Sequence, residues 1–178
     1  EVVLSSNPFV ISYDPLTGNE LWRYDCMSGE VGPSPAYSDG ILFACNDYAR
    51  LVAIKTGDQP ELLWESDEDL SEISSPVAND EIVIMAASFG TVSCFDSKSG
   101  QKYWYYDADD GFYSSPILVN GMIYIMDVNG IMHIIKAGSE FELLQNNPLG
   151  EKSSTTPAFY NNRIFIRGEE NLYCIGNN

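Results

Sequence analysis

Basic side chains are scarce: nine Lys and Arg stand against 26 Asp and Glu, a formal charge of −17. Phosphate backbones are bound by clustered Lys and Arg, so this balance argues against nucleic acid as a partner and turns attention to cations and basic surfaces. Histidine occurs once, at His133, and cysteine four times, with no CxxC pair and no two Cys adjacent. A metal centre made from His and Cys lacks its usual ligand spacing here. No apolar run approaches the ~20 residues of a membrane-spanning helix. Helical periodicity is also missing, because Pro, Gly, Asn or Asp interrupts the chain about every eight residues. What the chain does have is a 44% apolar fraction with 11 Tyr, 8 Phe and 3 Trp. That is too rich for an acidic disordered segment, and 178 residues suffice for one domain with a real core.

The sequence repeats itself. Ser34-Pro35, Ser75-Pro76, Ser115-Pro116 and Thr156-Pro157 recur at steps of 41, 40 and 41 residues. Each is followed by a polar turn (Asp39-Gly40, Asp80-Glu81, Asn120-Gly121, Asn161-Asn162) and then by an apolar strand such as Ile41-Leu42-Phe43-Ala44 or Ile82-Val83-Ile84-Met85. Turn residues between short β-branched and aromatic runs predict hairpins. A second turn, with Gly90 or Asn129-Gly130, leads to a third strand, and a fourth carries Trp. Four short strands in a period near 40 predict an all-β chain of propeller blades, each burying its faces only against its neighbours.

The words running from Ser12-Tyr13-Asp14 through Thr17-Gly18 to Trp22, and from Cys94-Phe95-Asp96 through Ser99-Gly100 to Trp104, resemble the tryptophan-docking motif of the PQQ-like, quinoprotein-type β-propeller repeat. A third copy, Ala53 to Trp64, is one residue longer and has Lys55 for Asp, and the fourth has Leu143-Leu144 where Trp is expected. The resemblance implies Trp22, Trp64 and Trp104 at blade seams, each indole covering the next blade with its N–H on a carbonyl. It divides the chain into a partial blade at 1–24, full blades at 33–66, 73–107 and 113–145, and a last blade at 154–175 without its outer strand. About four and a half blades, opening in mid-pattern without Met, look like the C-terminal part of a seven- or eight-bladed ring. Missing N-terminal blades or a second copy would then cover the open strand edges.

The candidate chemistry is thin. Cys94 and Cys174 occupy the small-residue position held elsewhere by Ser12 and Ala53, and are expected to be small buried hydrophobes. Cys26 and Cys45 fall near one face, and spacing alone leaves a disulfide between them open. His133 shares a column with Ile11, Val52, Ser93 and Tyr173, where a seam residue bonded to a neighbour is expected. Ser and Asp are abundant, so counting does not decide a Ser-His-Asp triad, and no GxSxG supports one. The acidic runs Asp67-Glu68-Asp69 and Asp107-Ala108-Asp109-Asp110 both follow fourth strands. Antiparallel alternation puts these connections on one face, with Asp25, Glu30, Asp47, Glu72, Asp127, Glu151, Glu169 and Glu170 against only Arg50, Lys152 and Arg167. Asp107, Asp109 and Gly111 do not follow EF-hand spacing, so no metal site is assigned.

Two functions follow from the resemblance. The first is a non-catalytic binding or assembly scaffold, extracytoplasmic in the periplasm or envelope and close in character to the lipoprotein members. It would need no cofactor, and its candidate binding face is Asp67, Glu68, Asp69, Asp107, Asp109 and Asp110, offered to a protein or peptide partner of basic character. The alternative is the C-terminal part of a quinoprotein dehydrogenase holding PQQ and Ca²⁺, for which the Arg and Trp inventory is poor.

Overall fold

The computed structural model describes residues 1–176, and among them every regular element is a β-strand. Strands β1 (Val2–Ser5), β2 (Phe9–Tyr13) and β3 (Glu20–Asp25) form the first sheet. The second sheet is β4 (Ala36–Ser38), β5 (Ile41–Cys45), β6 (Leu51–Lys55) and β7 (Glu61–Ser66). The third is β8 (Val77–Ala78), β9 (Ile82–Ala86), β10 (Thr91–Asp96) and β11 (Lys102–Asp107). The fourth comprises β12 (Ile117–Val119), β13 (Met122–Met126), β14 (Ile131–Lys136) and β15 (Leu143–Pro148), whose end lies past the expected limit at 145. The last sheet holds β16 (Ala158–Tyr160), β17 (Arg163–Arg167) and β18 (Leu172–Gly176). All five are antiparallel meanders of three or four strands that resemble propeller blades.

Turn chemistry sets the meander. Asp39-Gly40, Asn120-Gly121 and Asn161-Asn162 have positive φ at both central positions, the conformation that fits the twist of a tight hairpin. At Asp80-Glu81 φ is ordinary, and Asn79 Oδ1 instead accepts from the N–H of Glu81 at 2.9 Å and of Ile82 at 2.8 Å.

β5 and β9 are buried at every position, because neighbouring sheets cover both of their faces and no polar alternation is needed. The cores therefore lie between sheets. One joins Val10 and Trp22 to Leu42 and Ile54, a second joins Phe43 and Trp64 to Met85 and Phe95, and a third joins Ile84 and Trp104 to Ile123 and Ile125. The seam of the last two sheets is thinner, with Met126, Met132 and Ile166 as its buried members.

Two expectations are corrected. Cys174 is exposed, since no described element covers its face of β18. In the fourth sheet the residue in register with Trp22, Trp64 and Trp104 is Gln145, not Leu143-Leu144. Ile134 pairs with Gln145 as Ser12 pairs with Trp22, and the β14–β15 turn carries the same one-residue extension as the Trp64 copy.

Candidate functional site

Each tryptophan sits opposite a small residue just before a register shift: Trp22 by Ser12, Trp64 by Ala53 and Trp104 by Cys94. Trp64 Nε1 donates to Ser97 O of the next sheet at 3.0 Å, and its ring lies between Phe43 and Phe95. Trp104 Nε1 likewise donates to Gly138 O at 2.9 Å. Trp22 differs: its N–H donates to Glu1 Oε2 at 3.0 Å, which also accepts from Ser12 Oγ at 2.7 Å.

The Asp-to-Gly word shapes the turn that the preceding sheet's indole covers. Asp96 Oδ1 accepts from the N–H of Lys98 at 3.1 Å and of Ser99 at 2.6 Å, and Asp96 Oδ2 accepts from Tyr103 Oη at 2.6 Å. Tyr103 most strongly, then the Ser99 and Lys98 donors, outweigh desolvation and hold this carboxyl down to about 2. Gly100, at φ 73°, closes the turn, and a Cβ there would lie 2.6 Å from the Trp64 ring.

The Ser/Thr-Pro words have a bonding role that the sequence did not disclose. Ser34 N–H donates to Ser75 Oγ at 2.9 Å, Ser75 N–H to Ser115 Oγ at 3.0 Å, and Ser115 N–H to Thr156 Oγ1 at 2.9 Å. One hydrogen bond per step thus links consecutive sheets beside the inner strands, where β4 lies against β8 and β8 against β12.

On the face predicted to be acidic, main-chain hydrogen bonds tie the connections to the hairpin turns, joined by side-chain bonds such as that from Thr91 Oγ1 to Asp107 Oδ1 at 2.7 Å. Ala108 N–H donates to Gly90 O at 2.9 Å, Phe112 N–H to Ala87 O at 3.2 Å, Val128 N–H to Gly111 O at 3.0 Å and Leu149 N–H to Gly130 O at 2.8 Å. A Cβ on Gly111 would overlap Ser88 O, and one on Gly130 would overlap Glu151 O, which is why these positions are glycine.

Asp67, Glu68, Asp107 and Asp109 are exposed on these connections, and Asp110 is half-buried. Asp69 is not a free surface carboxylate: it accepts from Ser93 Oγ and from Lys102 Nζ, the latter at 2.8 Å, and Lys102 also pairs with Glu68. Burial raises the Asp69 pKa, but Lys102 and Ser93 outweigh it and the carboxyl is held below its usual range. Lys102 was absent from the basic residues expected near these loops, because its place at the far end of β11 hid the reach of its stem. Asp127 is likewise removed from the exposed set, being buried beside His133. Exposed aromatics on the same loops, Tyr48, Phe89 and Tyr113, went unnoticed in the sequence; an aromatic set among turn residues was the available signal.

His133 is buried, with Nε2 3.0 Å from Asp127 Oδ2 and Nδ1 3.2 Å from Tyr106 Oη of the preceding sheet. Asp127 Oδ1 accepts from the N–H of Asn129 at 3.0 Å and of Ile131 at 2.8 Å. The imidazole is thus a seam residue, spanning sheets three and four. Cys26 and Cys45 are unbonded, and burial pushes their thiols up to about 11 and about 12. Thiols so disposed are poor nucleophiles.

The residues do not fit a quinone with Ca²⁺. Such a site needs several oxygen ligands converging on the cation, and no group of three or more His, Cys, Asp or Glu converges among the described residues. Arg50 is paired with Glu65 at 2.6 Å, and the Arg167 guanidinium donates to Gly168 O at 3.1 Å.

Comparison with known proteins agrees with this architecture. The Outer membrane protein assembly factor BamB of Yersinia pestis is 24% identical over 155 residues, covering 81% of this chain and 38% of that protein. The crystal structure of BamB from Moraxella catarrhalis superposes with a TM-score of 0.77 at 15% identity, over 98% of this chain and 57% of that one. The computationally designed Ika4 protein superposes with a TM-score of 0.66 at 17% identity, over 85% of this chain and 96% of that one. At such identities the structural likenesses speak to fold. The chain spans less than two thirds of both BamB proteins. The family described as outer membrane protein assembly factor BamB matches residues 7–177, and this chain belongs to that family.

Proposed function

We propose that the chain is part of a non-catalytic β-propeller scaffold in the periplasm or envelope, working by binding other proteins. The observation that carries the reading is where the reactive side chains go: His133 joins two sheets, Cys45 and Cys94 are buried, and Asp69 is clamped by Lys102. On the loop face, the side chains facing solvent include carboxylates and aromatics, which suit recognition, and the one exposed thiol, Cys174, lies on β18. The five sheets are read as an arc of a seven- or eight-bladed ring whose open edges further blades or a second copy cover. Its fraction of the length of the BamB proteins supports this. The binding face is the loop face carrying Asp67, Glu68, Asp107, Asp109 and Asp110, with Asp69 as its structural anchor. Its partner is a basic protein segment, held by charge and by Phe89 and Tyr113.

Exposed charges are screened beyond about 8 Å at physiological salt, so the association weakens steeply as salt rises. The test titrates a polylysine peptide at two ionic strengths against the wild type and a variant with Asp67, Asp109 and Asp110 changed to Asn. Weaker, less salt-dependent binding by the variant is expected. Equal binding by both proteins removes the face from the function.

A further inference from the structure

Successive seams between sheets are filled by an indole until the last, which has none. Trp22, Trp64 and Trp104 are buried in cores shared with the following sheet. Gln145 holds the same register position, opposite Ile134, but is exposed. Between the fourth and fifth sheets a cleft of about 310 Å³ opens instead, with Ile134 in its wall.

Register identifies this cleft. Trp104 shares its core with Ile84 and Ala86 of its own sheet and with Ile123, Ile125 and Ile135 of the next. Around Trp64 the same places are held by Phe43, Cys45, Val83, Met85 and Phe95. One sheet further on, the strand pairing puts Tyr124, Met126, Ile164, Ile166 and Ile175 there, and each of them lines the cleft. The cleft is therefore the seat of the tryptophan that the fourth sheet lacks. That sheet has all four of its strands, so the vacancy arises from the residue at position 145 and not from a missing element.

We infer that this seat is a binding site for a free, neutral bicyclic aromatic molecule of the indole class. Small-molecule sites span about 300–1,000 Å³, and a cleft at the lower end of that range has room for one fused ring pair. Its wall is built mainly from Ile, Met, Leu and Tyr side chains, with Asn147 adding an amide. Apolar cavities take up neutral aromatic molecules, and Met sulfur packs favourably on an aromatic ring, here from Met126 and Met132. The argument for an indole is continuity, because the same wall positions enclose one at the two preceding seams. A free ring fits better than a partner's side chain, since the strand position from which an attached indole enters the seat is held by Gln145 of the chain itself. None of the acidic loop-face residues lines the cleft, so the inference stands apart from protein binding at that face.

The test adds indole, up to millimolar, to the whole chain carrying isotope-labelled methionine methyl groups and follows them by NMR. Ring currents should shift Met126 and Met132, on the cleft wall, and leave Met27 and Met85, in filled seams, where they are. Gln145→Trp seats the chain's own indole, so it should raise the melting temperature, the reverse of deleting a seam aromatic, and abolish the indole-induced shifts. Gln145→Ala leaves the cleft open and should keep them. Unmoved Met126 and Met132 signals in the wild type overturn the inference, as do equal shifts in the wild type and Gln145→Trp. Tighter binding of N-acetyltryptophanamide than of indole overturns the free-ring assignment in favour of a partner's side chain.

Discussion

Trp64 offers the sharpest test of how the sheets are joined. Its indole is 9% exposed, packs on Phe43 and Phe95, lies over Gly100 and donates to Ser97 O at 3.0 Å. Trp64→Ala removes a buried aromatic and should cost about 3–5 kcal/mol. Trp64→Phe keeps most of the packing but leaves the Ser97 carbonyl unpaired, which should cost about 1–3 kcal/mol. For a chain of this length 1 kcal/mol moves the melting temperature by about 2–4 °C, so the Ala variant should melt ~6–20 °C lower. Trp22→Ala is a useful comparator. The sequence suggests a weaker effect there, on the ground that an incomplete first sheet covers its tryptophan poorly, yet Trp22 is 5% exposed because the second sheet lies over it. A loss similar to that of Trp64→Ala is therefore expected. Thermal unfolding followed by far-UV circular dichroism measures all three, and a Trp64→Ala protein melting within about 2 °C of wild type would refute seam packing as the main cohesion.

Gly111→Ala should destabilise by about 1–3 kcal/mol, since its Cβ meets the backbone carbonyl of Ser88, which cannot move without parting the connection from the turn. Denaturant unfolding checks it, and Gly40→Ala, with open space around its Cβ but a φ of 79°, separates crowding from backbone conformation. Thiol labelling of the native protein should modify Cys174 quickly, leaving Cys45 and Cys94, both pushed up to about 12 by burial, to react only after unfolding. Rapid labelling of Cys45 in native buffer would contradict the second seam.

Much of the fold was legible because a propeller-like repeat writes its turns into the chain: Asp-Gly and Asn-Gly pairs, a proline before each inner strand, and Trp at a fixed distance from a small residue. The Gln145 position was missed because the fourth copy carries both a one-residue extension and a substitution, and either alone would have been readable. Cys174 was misjudged because its column predicts burial only where another sheet follows. The candidate site was harder, since charge assignment by loop position ignores long side chains. Lys102 starts on β11 and ends on Asp69, a partner 33 residues earlier. The serine-to-serine links stayed hidden for a related reason: the residues that revealed the period were the bonded ones, but a period says nothing about direction.

The main-chain ties between Gly90, Gly111 and Gly130 and their neighbouring connections do not use the side chains of Asp67, Phe89 and Asp109. Positions such as Asp67, Phe89 and Asp109 can therefore change identity while the platform beneath them keeps its shape, so new specificities can arise on it by ordinary substitution. The glycines carry the steric constraint, since a Cβ there meets main-chain oxygen, whereas these three side chains carry none, so the surface offered to a partner is set separately from the architecture that presents it.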